Sequence, residues 1–397
     1  MRVITCAILG AALCGCNRDT DVTQPTAKLT QVASAPEYSV DTLHPLGAGL
    51  SQGGGISNDG WVAGFSGQSD GTRQAMLWRN GEAKPLGTLG GLHSMVQWPG
   101  INNTGMIVGI SRTDTTDLLN ESWSCSAFLP GAGKTCLGFF WENGVMTSLP
   151  TLGGPNGFAT GVNARGQVVG WAENLIHDDT CVLPQVLQFR AVLWEPKKGT
   201  KQELRPYPGD STSAATAINA RGQAVGISGE CDVAVGRRSA TRAVIWENGA
   251  VDTLGTLGGP FWHTPMAIND RGEVVGFSNP PDGIIAGTDS VRAFYWSRST
   301  GTKDLGKLQG HAFSQALGIN SKGDVVGVSC GATGCAALLW RNGEMYKLQD
   351  LVDDAFPPSQ WTLWSARHIN DDGQITGRIV EKATGRTQPF IATPTTP

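Results

Sequence analysis

Charge is scarce in this chain. Only 16% of its 397 residues are Asp, Glu, Lys or Arg and the net charge is −4, so the basic footprint of a nucleic-acid binder is missing and no nucleic-acid partner is expected. Long hydrophobic runs are also missing. The one apolar run, Val3 to Leu13, is about eleven residues, too short to cross a hydrocarbon layer of ~30 Å as a helix. Histidine is sparse, and His44, His93, His177, His263, His311 and His368 show none of the short spacings of a metal site. No metal ligand, catalytic residue or cofactor-binding residue is assigned, and no cofactor is expected. The 54 Gly and 21 Pro together fall below the level of aperiodic low-complexity sequence. Glycine should therefore mark turns.

What is present begins with "MRVITCAILGAALCGC". One basic residue, a short apolar run and small residues read as an export signal over residues 1–15. Leu13-Cys14-Gly15-Cys16 resembles the lipobox of bacterial lipoproteins, which implies cleavage before Cys16 and lipid on its thiol. That resemblance predicts a membrane partner through the lipid anchor, and Asn17 fits the outer-membrane sorting class, at the cell surface or in the periplasm. Residues 16–36, rich in Thr, Gln, Ala and Pro without apolar periodicity, read as a flexible tether. Six cysteines remain beyond it: Cys125, Cys136, Cys181, Cys231, Cys330 and Cys335. An even number in an exported chain predicts three disulfides, with locality favouring Cys125 with Cys136 and Cys330 with Cys335.

Beyond the tether the chain repeats itself. "ISNDGWVAG", "INNTGMIVG", "VNARGQVVG", "INARGQAVG", "INDRGEVVG", "INSKGDVVG" and "INDDGQITG" are seven copies of one motif, starting at residues 56, 101, 162, 218, 268, 319 and 369. Asn or Ser three residues before Gly is type I turn chemistry between two short strands, which we label A and B. A second motif follows each of the first six copies; in four, such as "LWRNG" and "IWENG", its Asn-Gly predicts a type I′ hairpin between strands C and D, and the third and fifth, "VLWEPKKG" and "FYWSRSTG", have longer loops. Four antiparallel strands per unit of about fifty residues is the signature of a β-propeller blade.

The chain ends support this count. "YSVDTLHPLG" at 38–47 matches strand D of other units without A, B or C before it, and "QPFIAT" at 388–393 stands where the seventh strand C belongs. The predicted fold is therefore all-β, a seven-bladed β-propeller over residues 37–393, closed by the N-terminal strand completing the last blade, with a tail at 394–397. The "LGTLGG", "IN..G..VG" and "LW.NG" segments resemble those of the HAF-repeat family of bacterial exported proteins, and the likeness runs through nearly the whole chain after the tether. The literal His-Ala-Phe, residues 311–313, lies on the way into a strand A, whereas the family places it in strand C. The family implies a fold and carries no activity to transfer.

Strand order sorts the connections onto two faces. Short A-to-B and C-to-D turns occupy one, and the other takes the long, unlike insertions at 111–137, 172–190, 228–242 and 279–292. Variable loops on a rigid scaffold are where binding concentrates, so the long-loop face is the expected functional face. His93, Trp98, Trp262, His263, His311 and Trp361 fall near the start of strands A and are the candidate ligand-binding residues of a central funnel. The opposing reading is that they fill gaps between blades. Trp78, Trp141, Trp194, Trp246, Trp296 and Trp340 recur once per unit and read as inter-blade core. "GVSCG" around Ser329 is a repeat element rather than a nucleophile turn, and "GAGKT" at 131–135 lacks the first glycine and the helix of a phosphate loop. The expected function is a monomeric binding or scaffolding module for an envelope glycan or a protein. A polysaccharide hydrolase or lyase acting in the funnel is the alternative.

Overall fold

The repeat predicts seven four-stranded sheets, and the structure, a computed structural model describing residues 37–121, 123–232, 236–282 and 290–395, contains seven. The export signal, Cys16 and the tether lie outside the described residues. Six blades are continuous, at 52–85, 90–148, 157–204, 212–253, 264–306 and 313–347, each with strands in the order A, B, C, D. In the seventh, Trp361–Ile369, Ile375–Glu381 and Thr387–Pro394 supply A, B and C, and Tyr38–Thr42 supplies D. Tyr38 pairs Pro394 and Thr42 pairs Phe390, so strand C runs one residue past the expected boundary at 393.

The turn asparagine explains why the motif recurs. In blade 5, Asn269 Oδ1 accepts the N–H groups of Arg271 and Glu273, both at 3.0 Å, which shapes the A-to-B turn. Its Nδ2 donates to the Asn320 carbonyl of the next blade at 3.0 Å. The same inter-blade bond runs from Asn102 to Asn163, Asn163 to Asn219, Asn219 to Asn269, Asn320 to Asn370 and Asn370 to Ser57. One side chain therefore builds its own hairpin and ties it to the neighbour. Gly272, with φ +82°, takes the left-handed position that ends the turn. At the C-to-D hairpin both Asn248 (φ 52°) and Gly249 (φ 79°) are left-handed, as type I′ requires.

Strand A carries the second device. Its register with strand B slips by one residue at Gly54, Thr160, Thr216, Met266, Leu317 and Arg367, a β-bulge in six of the seven blades, and blade 7 slips a second time at Trp364. In blade 2 strand A stops at Met95 and residues 96–100 make a wider detour. The bulge presses a strand A carbonyl onto strand B, so a Cβ on Gly276 would lie 2.1 Å from Thr264 O. Only glycine fits there, and a bulge re-aims the extra side chain, here toward the axis.

The recurrent tryptophans hold the blades edge to edge. Nε1 of Trp78, Trp194, Trp246 and Trp340 donates to His44 O, Pro150 O, Arg205 O and Leu305 O of the preceding blade, at 2.7 to 2.9 Å. Each ring is buried in an inter-blade cluster and contributes on the order of 2 kcal/mol or more.

Candidate binding face

Three disulfides form: Cys125–Cys136, Cys181–Cys231 and Cys330–Cys335. They suit an oxidising compartment. The first two brace the long-loop face. Inside the 125–136 loop, buried Arg112 is ringed by the carbonyls of Pro130, Lys134, Leu129 and Gly131 and the Ser126 hydroxyl. A phosphate loop presents N–H groups inward. This loop presents carbonyls to a guanidinium instead. The second disulfide joins the B-to-C loops of blades 3 and 4, where Cys181 and Asp232 also form a bridge.

Beneath these loops lies a buried acidic knot. Glu121 Oε1 accepts the N–H groups of Val186 and Leu187, fastening the blade 2 loop to the blade 3 loop. Gln185 Nε2 reaches Glu173 Oε1 at 3.2 Å and Glu121 Oε1 at 3.5 Å, and Asn156 N donates to Glu173 Oε2 at 3.0 Å. Burial pushes the Glu173 carboxyl up to about 8, with the Glu121 charge adding to it, so Glu173 is neutral at pH 7. Burial raises Glu121 as well. Both carboxyls are closed to solvent.

The axis is filled on this face. Phe65, Ile110, Trp171, Ile227, Phe277 and Val328, the residues after the strand B glycine, form one cluster with Trp98, Met266 and Leu317. Trp98 packs edge-on against Phe128 and Phe158, centroids 5.2 Å apart in each case. The axial pocket opens on the opposite, short-turn face, about 190 Å³ lined by the ring asparagines, Thr216, Met266 and His368. Burial drops His368 to about 4, with Nδ1 3.2 Å from Ile56 N, so its ring is neutral where it borders this pocket.

The six candidate residues do not converge on one cavity. Trp98 belongs to the axial cluster and half-buried Trp262 packs against it, while Trp361 stacks on Phe356 at 5.2 Å in a different cluster. The three histidines turn inward to hold the connections into strand A. His93 Nδ1 accepts Arg73 N at 3.1 Å, and His311 Nδ1 lies 3.1 Å from Ser329 Oγ. His263 donates from Nε2 to Gly259 O at 3.1 Å and accepts the Ser278 hydroxyl at Nδ1, 2.7 Å away. Burial lowers His263 to about 4. Ser329 is the repeat element expected, accepting Leu308 N as Ser66, Ser111, Ser228 and Ser278 accept their own linker N–H groups.

What the sequence reading missed is the apolar character of the loop tips. Among the described residues, nine of the ten exposed large apolar side chains lie on the long-loop side of blades 1 to 3: Leu46, Leu50, Leu92, Leu118, Leu119, Leu175, Ile176, Val182 and Leu183. Leu118 is 92% and Leu183 79% exposed. The signal was present as "DLLN", "NLIH" and "CVLP" in loops that should be polar.

No family model matches the chain, and no curated protein matches it. Solved structures to which it is similar include two acylaminoacyl peptidases. One is an acylaminoacyl peptidase in complex with Z-Gly-Gly-Phe-chloromethyl ketone, at 15% identity and a TM-score of 0.45, covering 83% of this chain and 50% of that one. The other is the Pyrococcus horikoshii acylaminoacyl peptidase, orthorhombic crystal form, at 16% identity and a TM-score of 0.45, covering 84% and 50%. The chain spans about half the length of the structures it matches.

Proposed function

We propose that this protein is an exported, lipid-anchored binding module of the HAF-repeat type, and that it docks a protein partner on the long-loop face of blades 1 to 3. The observation that carries the reading is the set of exposed leucines on loops stitched together by Cys181–Cys231 and the Glu121 knot. Exposed apolar groups on a braced surface mark an interaction site, because ordering costs little when the loops are already held. Sugar rings stack on exposed aromatics, and here every exposed large apolar side chain among the described residues is aliphatic. That favours a protein over a glycan. Exposed Asp114 and Asp179 lie in the same loops and suit a partner with basic residues at its rim. The buried carboxyls of Glu121 and Glu173 lie below this surface and support the loops rather than a reaction on it.

A photo-crosslinking residue at position 118 or 183, in cells making the full chain, tests the assignment. One discrete protein adduct is expected from both positions and none from position 145 on the opposite face. An adduct of twice the chain's mass would assign the face to self-association. Equal labelling at all three positions, or none, would sink the reading.

A further inference from the structure

Arg378 breaks a rule that the rest of the ring obeys. The residue after the strand B glycine is apolar in blades 1 to 6, and all six belong to the axial cluster; blade 7 puts a guanidinium there. Arg378 sits opposite Ser365 in register, and the two bulged residues of the same strand A are Trp364 and Arg367. Arg367 Nη2 donates to Gln97 O at 3.1 Å, reaching from blade 7 to blade 2 over blade 1, whose own bulge residue is Gly54.

Among the described residues neither arginine forms a salt bridge, and the one charge that perturbs Arg367 is Arg378 itself. Unused donors gather beside them. Arg378 Nε, Gln52 Nε2 and Ser365 Oγ are buried without hydrogen-bond partners, Gln52 and Ser365 being 5% and 4% exposed. Strand A of blade 1 runs antiparallel against strand B of blade 7, where a Cβ on Gly53 would lie 2.3 Å from Thr376 Oγ1. Gln52 therefore comes level with Gly377 and Arg378. The Arg378 guanidinium lies over the Trp364 ring, 5.3 Å from its centroid.

Like charges half-buried side by side, with donors unused, are costly unless a counter-charge joins them. We propose that this cluster of donors, where blade 7 meets blade 1, is an oxyanion-binding site, with Arg378 and Arg367 as the charged clamps and Gln52 and Ser365 as neutral donors. The planar guanidinium fork fits a carboxylate best, and a sulfate or phosphate monoester offers the same oxygens. The site is separate from the leucine-bearing loops and stands or falls without them.

The repeat supplies its own control variant, since an apolar residue at this position already packs in six blades. The mature protein would be titrated with sodium acetate, sulfate and phosphate at constant ionic strength, following Tm and heat of binding. At least one anion should raise Tm saturably, and which of the three does so identifies the oxyanion class. Arg378→Ile should match or exceed the wild-type Tm without anion, because it removes an unpaired charge, and should weaken anion binding at least tenfold. Arg367→Met should weaken it likewise. No saturable shift with any of the three anions, or undiminished binding in Arg378→Ile, overturns the proposal.

Discussion

Asn370 donates from Nδ2 to the carbonyl of Ser57 at 2.9 Å, joining residues 313 positions apart. It is the sixth of six such links around the short-turn face. The seventh is missing because Ser57 has no amide to offer the Asn102 carbonyl. Asn58 N, which donates to Asn103 Oδ1 at 2.8 Å, bridges that seam instead.

Ser57→Asn should complete the ring and raise stability by about 1 kcal/mol, the net value of one added hydrogen bond. Asn269→Ala removes an inter-blade bond and two turn bonds together and should cost about 3 kcal/mol. Urea denaturation of both variants checks the pair. Equal stability of Asn269→Ala and wild type would mean that the ring contributes nothing.

Acid should loosen the connection into blade 5. His263 is held near 4 in the fold against an ordinary 6.5, so the unfolded chain binds the proton more readily. Its contribution is complete above about pH 6.5 and is lost as pH falls toward 4, on the order of 3 kcal/mol. Tm measured from pH 7 to pH 4 should fall more steeply in wild type than in His263→Gln. Parallel curves would contradict the assignment.

Glu173 acts in the other direction. Its folded value of about 8 against an ordinary 4.5 means that stability is complete below pH 4.5 and is lost as pH rises to about 8. Glu173→Gln should flatten this alkaline loss and exceed wild type at pH 9 by on the order of 3 kcal/mol. Denaturation at pH 5, 7 and 9 gives the comparison, and a variant less stable than wild type at pH 9 would show that the charge is favourable.

Cys181→Ser combined with Cys231→Ser opens a loop of 50 residues. By the chain-entropy estimate this costs about 4 kcal/mol. The blade 3 and 4 loops should become protease-sensitive before the blades do. Cleavage confined to other loops would show that Glu121 alone secures this face.

The blade count, the closing strand and the six disulfide cysteines were legible because each rests on local chemistry: turn residues at fixed offsets, a strand without partners, an even number of thiols. The axis was not. Which side chain points at it depends on a one-residue slip in strand A, and a slip reverses the alternation on which sequence patterns rely. Trp98, for example, was placed on the rim of a funnel by counting, and the detour at 96–100 turns it into the axial cluster. Arg367 and Arg378 were similarly hidden among exposed-looking charges until register put them beside Ser365 and Gln52. Glu121 and Glu173 meet through folding of two loops, a contact without any period.

The pairing of Tyr38–Thr42 with Thr387–Pro394 also sets an order of assembly. Tyr38 meets Val352 in a single bridge, but its strand gains a full ladder only when Thr387–Pro394 is made, so the ring stays open until then. A product stopped before residue 387 leaves the edge at Tyr38–Thr42 without its antiparallel ladder and never acquires the cooperativity of the closed disc. Closure thus reports that both of these strands are present: a chain lacking either cannot lock.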